Sequence, residues 1–145
     1  MTTSNEYPTL MHRWFEEVWN QQKTETIREL MTEDTVHHGL SGPGGPPVHG
    51  IEPFEKFHSD FLKSFPDLHI EVEDVLKDGD KYAARFTVTG TQKGDFNGRA
   101  ATGKKVRFAG SGICLVEDGK CKEVWNVIDF LKMEYDLDPN TPNIP

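Results

Sequence analysis

Tyr7, Leu10, Met11, Trp14, Phe15, Val18 and Trp19 recur at spacings of three and four along residues 7–20. That period puts them on one face and predicts an amphipathic helix with an aromatic stripe. Ile27, Leu30 and Met31 make the apolar side of a shorter helix from about Thr24 to Met31, with Thr24 as its N-cap. A third helix is predicted over 51–64, "IEPFEKFHSDFLKS". There Phe54, Phe57, His58, Phe61 and Leu62 share a face, and Pro53 falls in the first turn, where it is tolerated. Between the last two helices runs "TEDTVHHGLSGPGGPPVHG". Its Gly and Pro exclude a helix and leave room for at most a short extended piece around Thr35 to His38.

After Asp67 the period drops to two. Four strands are predicted, over 67–76, 81–92, 104–116 and 121–130. "KDGD" and "EDGK" carry Asp-Gly hairpin chemistry and join the first and last pairs; "GDFNGRAATGK" links the middle pair. Helices followed by a run of antiparallel strands indicate an α+β fold. Alternation puts Tyr82, Ala84, Phe86, Val88 and Gln92 on the inner face of one strand. Val106, Phe108, Gly110, Gly112, Cys114 and Val116 line the next, and Trp125, Val127 and Asp129 the last. The whole of 1–145 is expected to be one domain. The polar, Pro-rich end predicts a loosely ordered tail over 133–145.

Composition narrows the functional classes. The chain has 145 residues and a formal charge of −8, which repels phosphate backbones and argues against nucleic acid as a partner. Cys114 and Cys121 form neither a disulfide framework nor a zinc pattern and are expected as buried free thiols. "MTTSNEYPTL" lacks the basic and apolar regions of a signal peptide, and no apolar run reaches the length of a membrane span. A cytoplasmic protein without a membrane partner is the resulting expectation.

The inner face has three departures from a packed core: Gln92, Gly112 and Asp129. Small or polar residues at one end of a curled sheet leave a pocket there. Asp129 is then either the cap of a following turn or a carboxylate in an apolar pocket beside Trp125. In the second case desolvation raises its pKa and makes it a better base. His37 and His38 are adjacent, so in an extended segment one points in and the other out; His38 is taken as the inward one. His37, His38 and His49 lack metal-site spacing, and no metal is expected. His58, on an apolar helix face, reads as a core histidine. No GxSxG elbow is present, neither cysteine has a base partner, and "SGPGGPP" lacks the phosphate-loop pattern.

In combination, "TEDTVHHGL", "FPDLHIEVEDVL" with the following "GD", "ARFTVTGT", "ATGKKV" and "VEDGK" with "EVWNVID" resemble the SnoaL-like polyketide cyclases (ester cyclases) of the NTF2-like superfamily. The likeness runs from about residue 8 to 132. It implies a cone-shaped α+β barrel, a curved antiparallel sheet wrapped around three N-terminal helices, paired through the outer face of the sheet as a homodimer. It implies cofactor-independent acid/base chemistry, an intramolecular aldol closure on a small apolar or aromatic carbonyl ligand, with Asp129 as acid/base. Many relatives carry His where Gln92 stands, and characterised cyclases carry one near Gly112. With both absent here, His38 and Gln92 are left to polarise or protonate the new alkoxide, Gln92 by a hydrogen bond only. Trp125, Phe108, Trp14, Phe57, Phe61 and Gly112 are expected to shape the binding wall.

Two other readings stand beside this one. The first is a non-catalytic small-molecule-binding module, consistent with the absent histidines. The second is an isomerase or epoxide hydrolase, which needs a guanidinium in the pocket, whereas Arg85 and Arg107 have outward parity. The face bearing Arg85, Thr87, Thr89, Arg107, Ile113 and Leu115 is the expected dimer surface.

Overall fold

A computed structural model describes residues 9–42 and 44–145. The first helix, α1, begins at Leu10–Arg13 behind Thr9, whose hydroxyl accepts from the His12 amide. Residues Trp14–Asn20 continue it as a π-helix, closed by bonds such as Gln21 N to Glu16 O at 2.8 Å. The wider turn matters to the aromatic stripe. In an α-helix, positions five apart lie about 140° around the axis; i→i+5 bonding brings them onto one face. Trp14 and Trp19 therefore both reach Phe54, at ring separations of 5.0 and 6.2 Å. Tyr7, the expected first member of the stripe, lies outside the described residues.

Helix α2 spans Thr24–Leu30, with Lys23 rather than Thr24 at its cap position and no side-chain cap bond. Helix α3, Ile51–Ser64, has the expected bounds. The strands are β1 (Met31–His38), β2 (Val48–His49), β3 (His69–Asp78), β4 (Lys81–Thr91), β5 (Lys105–Glu117) and β6 (Lys120–Ile128). They form a curved, unclosed sheet in the order β2-β1-β6-β5-β4-β3. The core lies between its concave face and the helices. Ala84, Phe86, Val88, Val106, Phe108 and Val124 meet Phe15, Val18, Ile27 and Phe54 there.

Three features depart from expectation. The sheet is mixed, because β1 runs parallel to β6. β1 is also longer than the short piece expected, and Thr35 anchors it: the buried hydroxyl donates to Cys121 O at 2.6 Å. The second departure is the face of β6. Its pairing with β5 shifts register between Leu115 and Val116, so that Val116 faces Cys121 while Leu115 faces Glu123. Lys122 is the extra residue, a β-bulge, and it reverses the alternation downstream. Val124, Asn126 and Ile128 point inward, whereas Trp125, Val127 and Asp129 point outward.

The third departure is a fourth helix, α4 (Phe130–Leu137), where a loose tail was expected from residue 133. Met133 and Leu137 are buried in the core. Buried Asp136 accepts from Arg107 N at 2.9 Å and Lys132 Nζ at 2.8 Å, tying the helix to β5. Beyond it, Lys104 Nζ donates to the carbonyls of Asp138 and Thr141. No helix among the described residues is long and apolar enough to cross a membrane.

Candidate functional site

The concave face of the sheet and the helices enclose a cavity of about 70 Å³. Its deep walls are buried side chains: Trp14 and Trp19 from α1, Phe54 from α3, Phe86 and Phe108 from the sheet. Leu40, Phe57, Phe61, Ile128 and Phe130 also line it but are only half-buried, and so mark its rim. Among the described residues, no Asp, Glu, Lys or Arg lines it. Its polar side chains are His37 and Asn126, with the Cys121 thiol beside them.

His37 is the unusual group. It is 2% exposed, and its Nε2 has no hydrogen-bond partner. Such an atom carries a desolvation cost of about 1–3 kcal/mol unless something meets it. The imidazole packs beside both Trp14, at 5.5 Å and 22°, and Phe54, at 4.7 Å and 24°, the three rings forming a triangle. Burial, with a smaller contribution from neighbouring His38, lowers its pKa to about 4. The ring is therefore neutral at pH 7, and a neutral imidazole nitrogen either donates or accepts according to its tautomer.

Asn126 is held by its own amide, which donates to His38 O at 3.0 Å. Gly39 permits this close approach: its φ is +84°, and a Cβ there would lie 2.0 Å from Asn126 O. Cys121 is not a nucleophile candidate. Its sulfur lies 3.0 Å from that of Cys114, and this hydrogen bond, together with burial, pushes its pKa well up. The thiolate is what reacts. His58 bonds Val18 O through Nε2 at 2.7 Å and is a core histidine, as expected.

Of the residues expected to shape the site, Trp14, Phe57, Phe61 and Phe108 line the cavity. The other five do not. Asp129 is exposed, and its Oδ1 accepts from Lys132 N at 3.0 Å, which makes it the N-cap of α4. Trp125 is 39% exposed and lies parallel to the His38 ring on the outer side. His38 is itself outward, with Nε2 2.6 Å from Glu123; its neighbour His37 is the inward one. Gln92 is 0% exposed, but its carboxamide is consumed locally. It donates to the carbonyls of Gly94, Arg99 and Ala100 and accepts from Thr102, bracing the loop between β4 and β5. Gly112 does face inward, yet the space is taken: a Cβ there would be 2.9 Å from Asn126 Oδ1. Asn126, on a strand whose parity the bulge had disguised, was not anticipated.

A family model for SnoaL-like polyketide cyclase matches residues 9–137. The chain belongs to the SnoaL-like polyketide cyclase family. No curated protein matches this SnoaL-like chain. Among solved structures it is similar to a protein from Jannaschia sp. CCS1, provisionally named a SnoaL-like polyketide cyclase. That pair has 27% identity, a TM-score of 0.78, and 90% of each chain covered. It is similar to IdmH from Streptomyces antibioticus, provisionally named a polyketide cyclase, at 28% identity and a TM-score of 0.76, covering 88% of this chain and 95% of that one. It is also similar to AclR from Streptomyces galilaeus, provisionally named a hydroxylase, at 29% identity and a TM-score of 0.78, covering 93% and 97%. SnoaL-like frames thus carry more than one functional name, and the reaction has to be argued from the cavity.

Proposed function

We propose that this SnoaL-like protein binds a compact apolar carbonyl compound in the cavity and moves a proton at its α-carbon, with His37 as the acid/base group. The unpartnered, buried Nε2 of His37 carries this reading. Nε2 takes the α-proton and leaves an enolate, which attacks a second carbonyl of the same molecule. The new alkoxide recovers the proton from the imidazolium, so none is gained or lost. Asn126 and the aromatic walls orient the chain, and confinement supplies the proximity effect. A base of pKa about 4 is weak. Each unit separating it from the carbon acid costs about 1.4 kcal/mol. The reading therefore favours a carbon activated on both sides, by two carbonyls or by a carbonyl and an aromatic ring.

The absence of any carboxylate among the described residues that line the cavity favours a second reading, a binding module without turnover. Epoxide opening has less support: Arg85 is exposed and engaged with Asp74 at 2.6 Å, and Arg107 is exposed as well. Exchange of the C1 protons of 2-tetralone in deuterated buffer, followed by NMR, separates the two main readings. His37→Gln should slow protein-catalysed exchange by about a hundredfold or more, while Asp129→Asn should change it less than twofold. Exchange that survives His37→Gln refutes the role of His37, and no exchange with binding intact leaves the module.

The outer face of the sheet is the proposed site of a second copy of this chain. Ile113, Trp125 and Val127 are exposed on adjoining strands there, Val127 at 75%. Sedimentation at micromolar concentration should give a dimer, and Trp125→Ser with Val127→Ser should give a monomer; a wild-type monomer refutes it.

A further inference from the structure

At about 70 Å³ the cavity is smaller than an apolar cavity of roughly 150 Å³ that accommodates benzene. A ligand the size of a cyclisable carbonyl compound needs space beyond it, and the walls differ in how readily they give. Toward the recess between α1 and β3 the shared wall is Phe15 and Ile70, both buried. Phe15 packs on Phe86 at 4.8 Å. The Asn20 side chain holds both the amide and the carbonyl of Ile70, at 2.7 and 2.9 Å. That wall is fixed.

The opposite wall is different. Phe57 and Phe61 line the cavity on one side and, on the other, a recess between the last turns of α3 and the 94–98 loop. Both are half-buried. The recess itself is braced: Ser64 Oγ donates to Asp95 O at 2.6 Å, Lys93 N to Ser64 O at 2.8 Å, and Gln92 Nε2 to Gly94 O at 3.1 Å. Its frame is held by hydrogen bonds, whereas the rings of Phe57 and Phe61, which line both spaces, are held by ring packing: both on Trp19, at 6.2 and 6.1 Å, and Phe61 also on Phe65 and Phe96, at 5.3 and 5.4 Å. Ring rotation of partly exposed side chains is fast and needs no backbone change.

We propose that Phe57 and Phe61 are a movable partition joining cavity and recess, and that the combined site takes an elongated ligand. An apolar ketone head sits beside His37 in the cavity as widened by displacement of the two rings, and a flexible chain ending in a neutral hydroxyl lies in the recess. The neutral end follows from the rim, where Asp60 and Asp95 stand with Lys63. Asp60 is already bound to Lys56 at 2.6 Å. Mixed signs favour neither charge, while a hydroxyl both donates and accepts. This inference rests on the reading of the cavity as a ligand site and adds to it the class of molecule bound.

Two probes separate these layers: 2-tetralone, and 2-tetralone carrying a six-carbon ω-hydroxyalkyl ether on its aromatic ring. Calorimetry on the wild-type chain should find the elongated ketone bound at least tenfold more tightly. Asp60→Trp fills the recess from an exposed helix position without touching the cavity. It should bring the two ketones within twofold of each other, the elongated ketone losing the most affinity. Equal wild-type affinities, or an advantage that survives Asp60→Trp, overturn the partition and leave the cavity reading standing. Failure of 2-tetralone itself to bind overturns the cavity reading and the partition with it.

Discussion

His37 and His38 are neighbours in the chain and opposites in surroundings. His37 faces the cavity beside Trp14 and Phe54 with its Nε2 unmet. His38 faces out, bonded to Glu123 and stacked on Trp125. The same division runs along β6, where Val124 and Asn126 belong to the inner region and Trp125 and Val127 to the outer. Two residue types that sequence reasoning treats alike, a histidine in an extended segment and a polar residue near a strand end, thus acquire different chemistry. Parity decides it, and in β6 the parity depends on one extra residue, Lys122.

Removing that residue is the most severe way to break the comparison. Deleting Lys122 forces either Cys121 outward or Val124, Asn126 and Ile128 outward with Trp125, Val127 and Asp129 inward. Each buried apolar side chain displaced costs about 1.5–3 kcal/mol, and Asp129 would then be a carboxylate without water. Urea unfolding should show a loss on the order of 4 kcal/mol or more. Lys122→Ala, which keeps the residue count, should stay within about 0.5 kcal/mol of wild type. A deletion as mild as the substitution would mean that β6 does not set its face at this bulge.

Most of the fold was legible because its signals are local. The 51–64 helix shows its period within its own residues, and β4 and β5 show theirs, with Ala84, Phe86 and Val88 alternating plainly. β1 was less visible, since Thr32, Glu33 and Asp34 look like loop and its partner β6 lies some 85 residues away, as the His38–Glu123 contact illustrates. Helix α4 did carry a signal: Phe130, Met133 and Leu137 fall at helical spacing behind an Asp suited to capping. The site was harder. Its aromatic walls follow from apolar periodicity, so Trp14, Phe57, Phe61 and Phe108 could be found. Choosing between His37 and His38 needed the parity of β1, which is fixed by buried Thr35, a residue that marks no apolar face. Gln92 and Gly112 broke the apolar pattern for structural reasons, loop bracing and room for Asn126, which one-dimensional patterning does not distinguish from function.

A smaller effect sharpens the same contrast without changing a single contact. Burial holds the His37 pKa near 4, against an ordinary value of 6.5. Between these values the unfolded chain binds a proton at this site and the folded chain does not, so stability rises with pH across the window. The contribution is fully present above about pH 6.5 and is lost as pH falls toward 4, by roughly 3 kcal/mol. His58, also buried and also lowered, adds loss of the same sign, so wild type alone does not isolate the effect. His37→Gln does: the variant should lose roughly 3 kcal/mol less than wild type between pH 7 and pH 4, read from urea midpoints. If His37→Gln and wild type show the same pH dependence, water reaches Nε2, and the dry cavity floor on which the proton chemistry depends is not there.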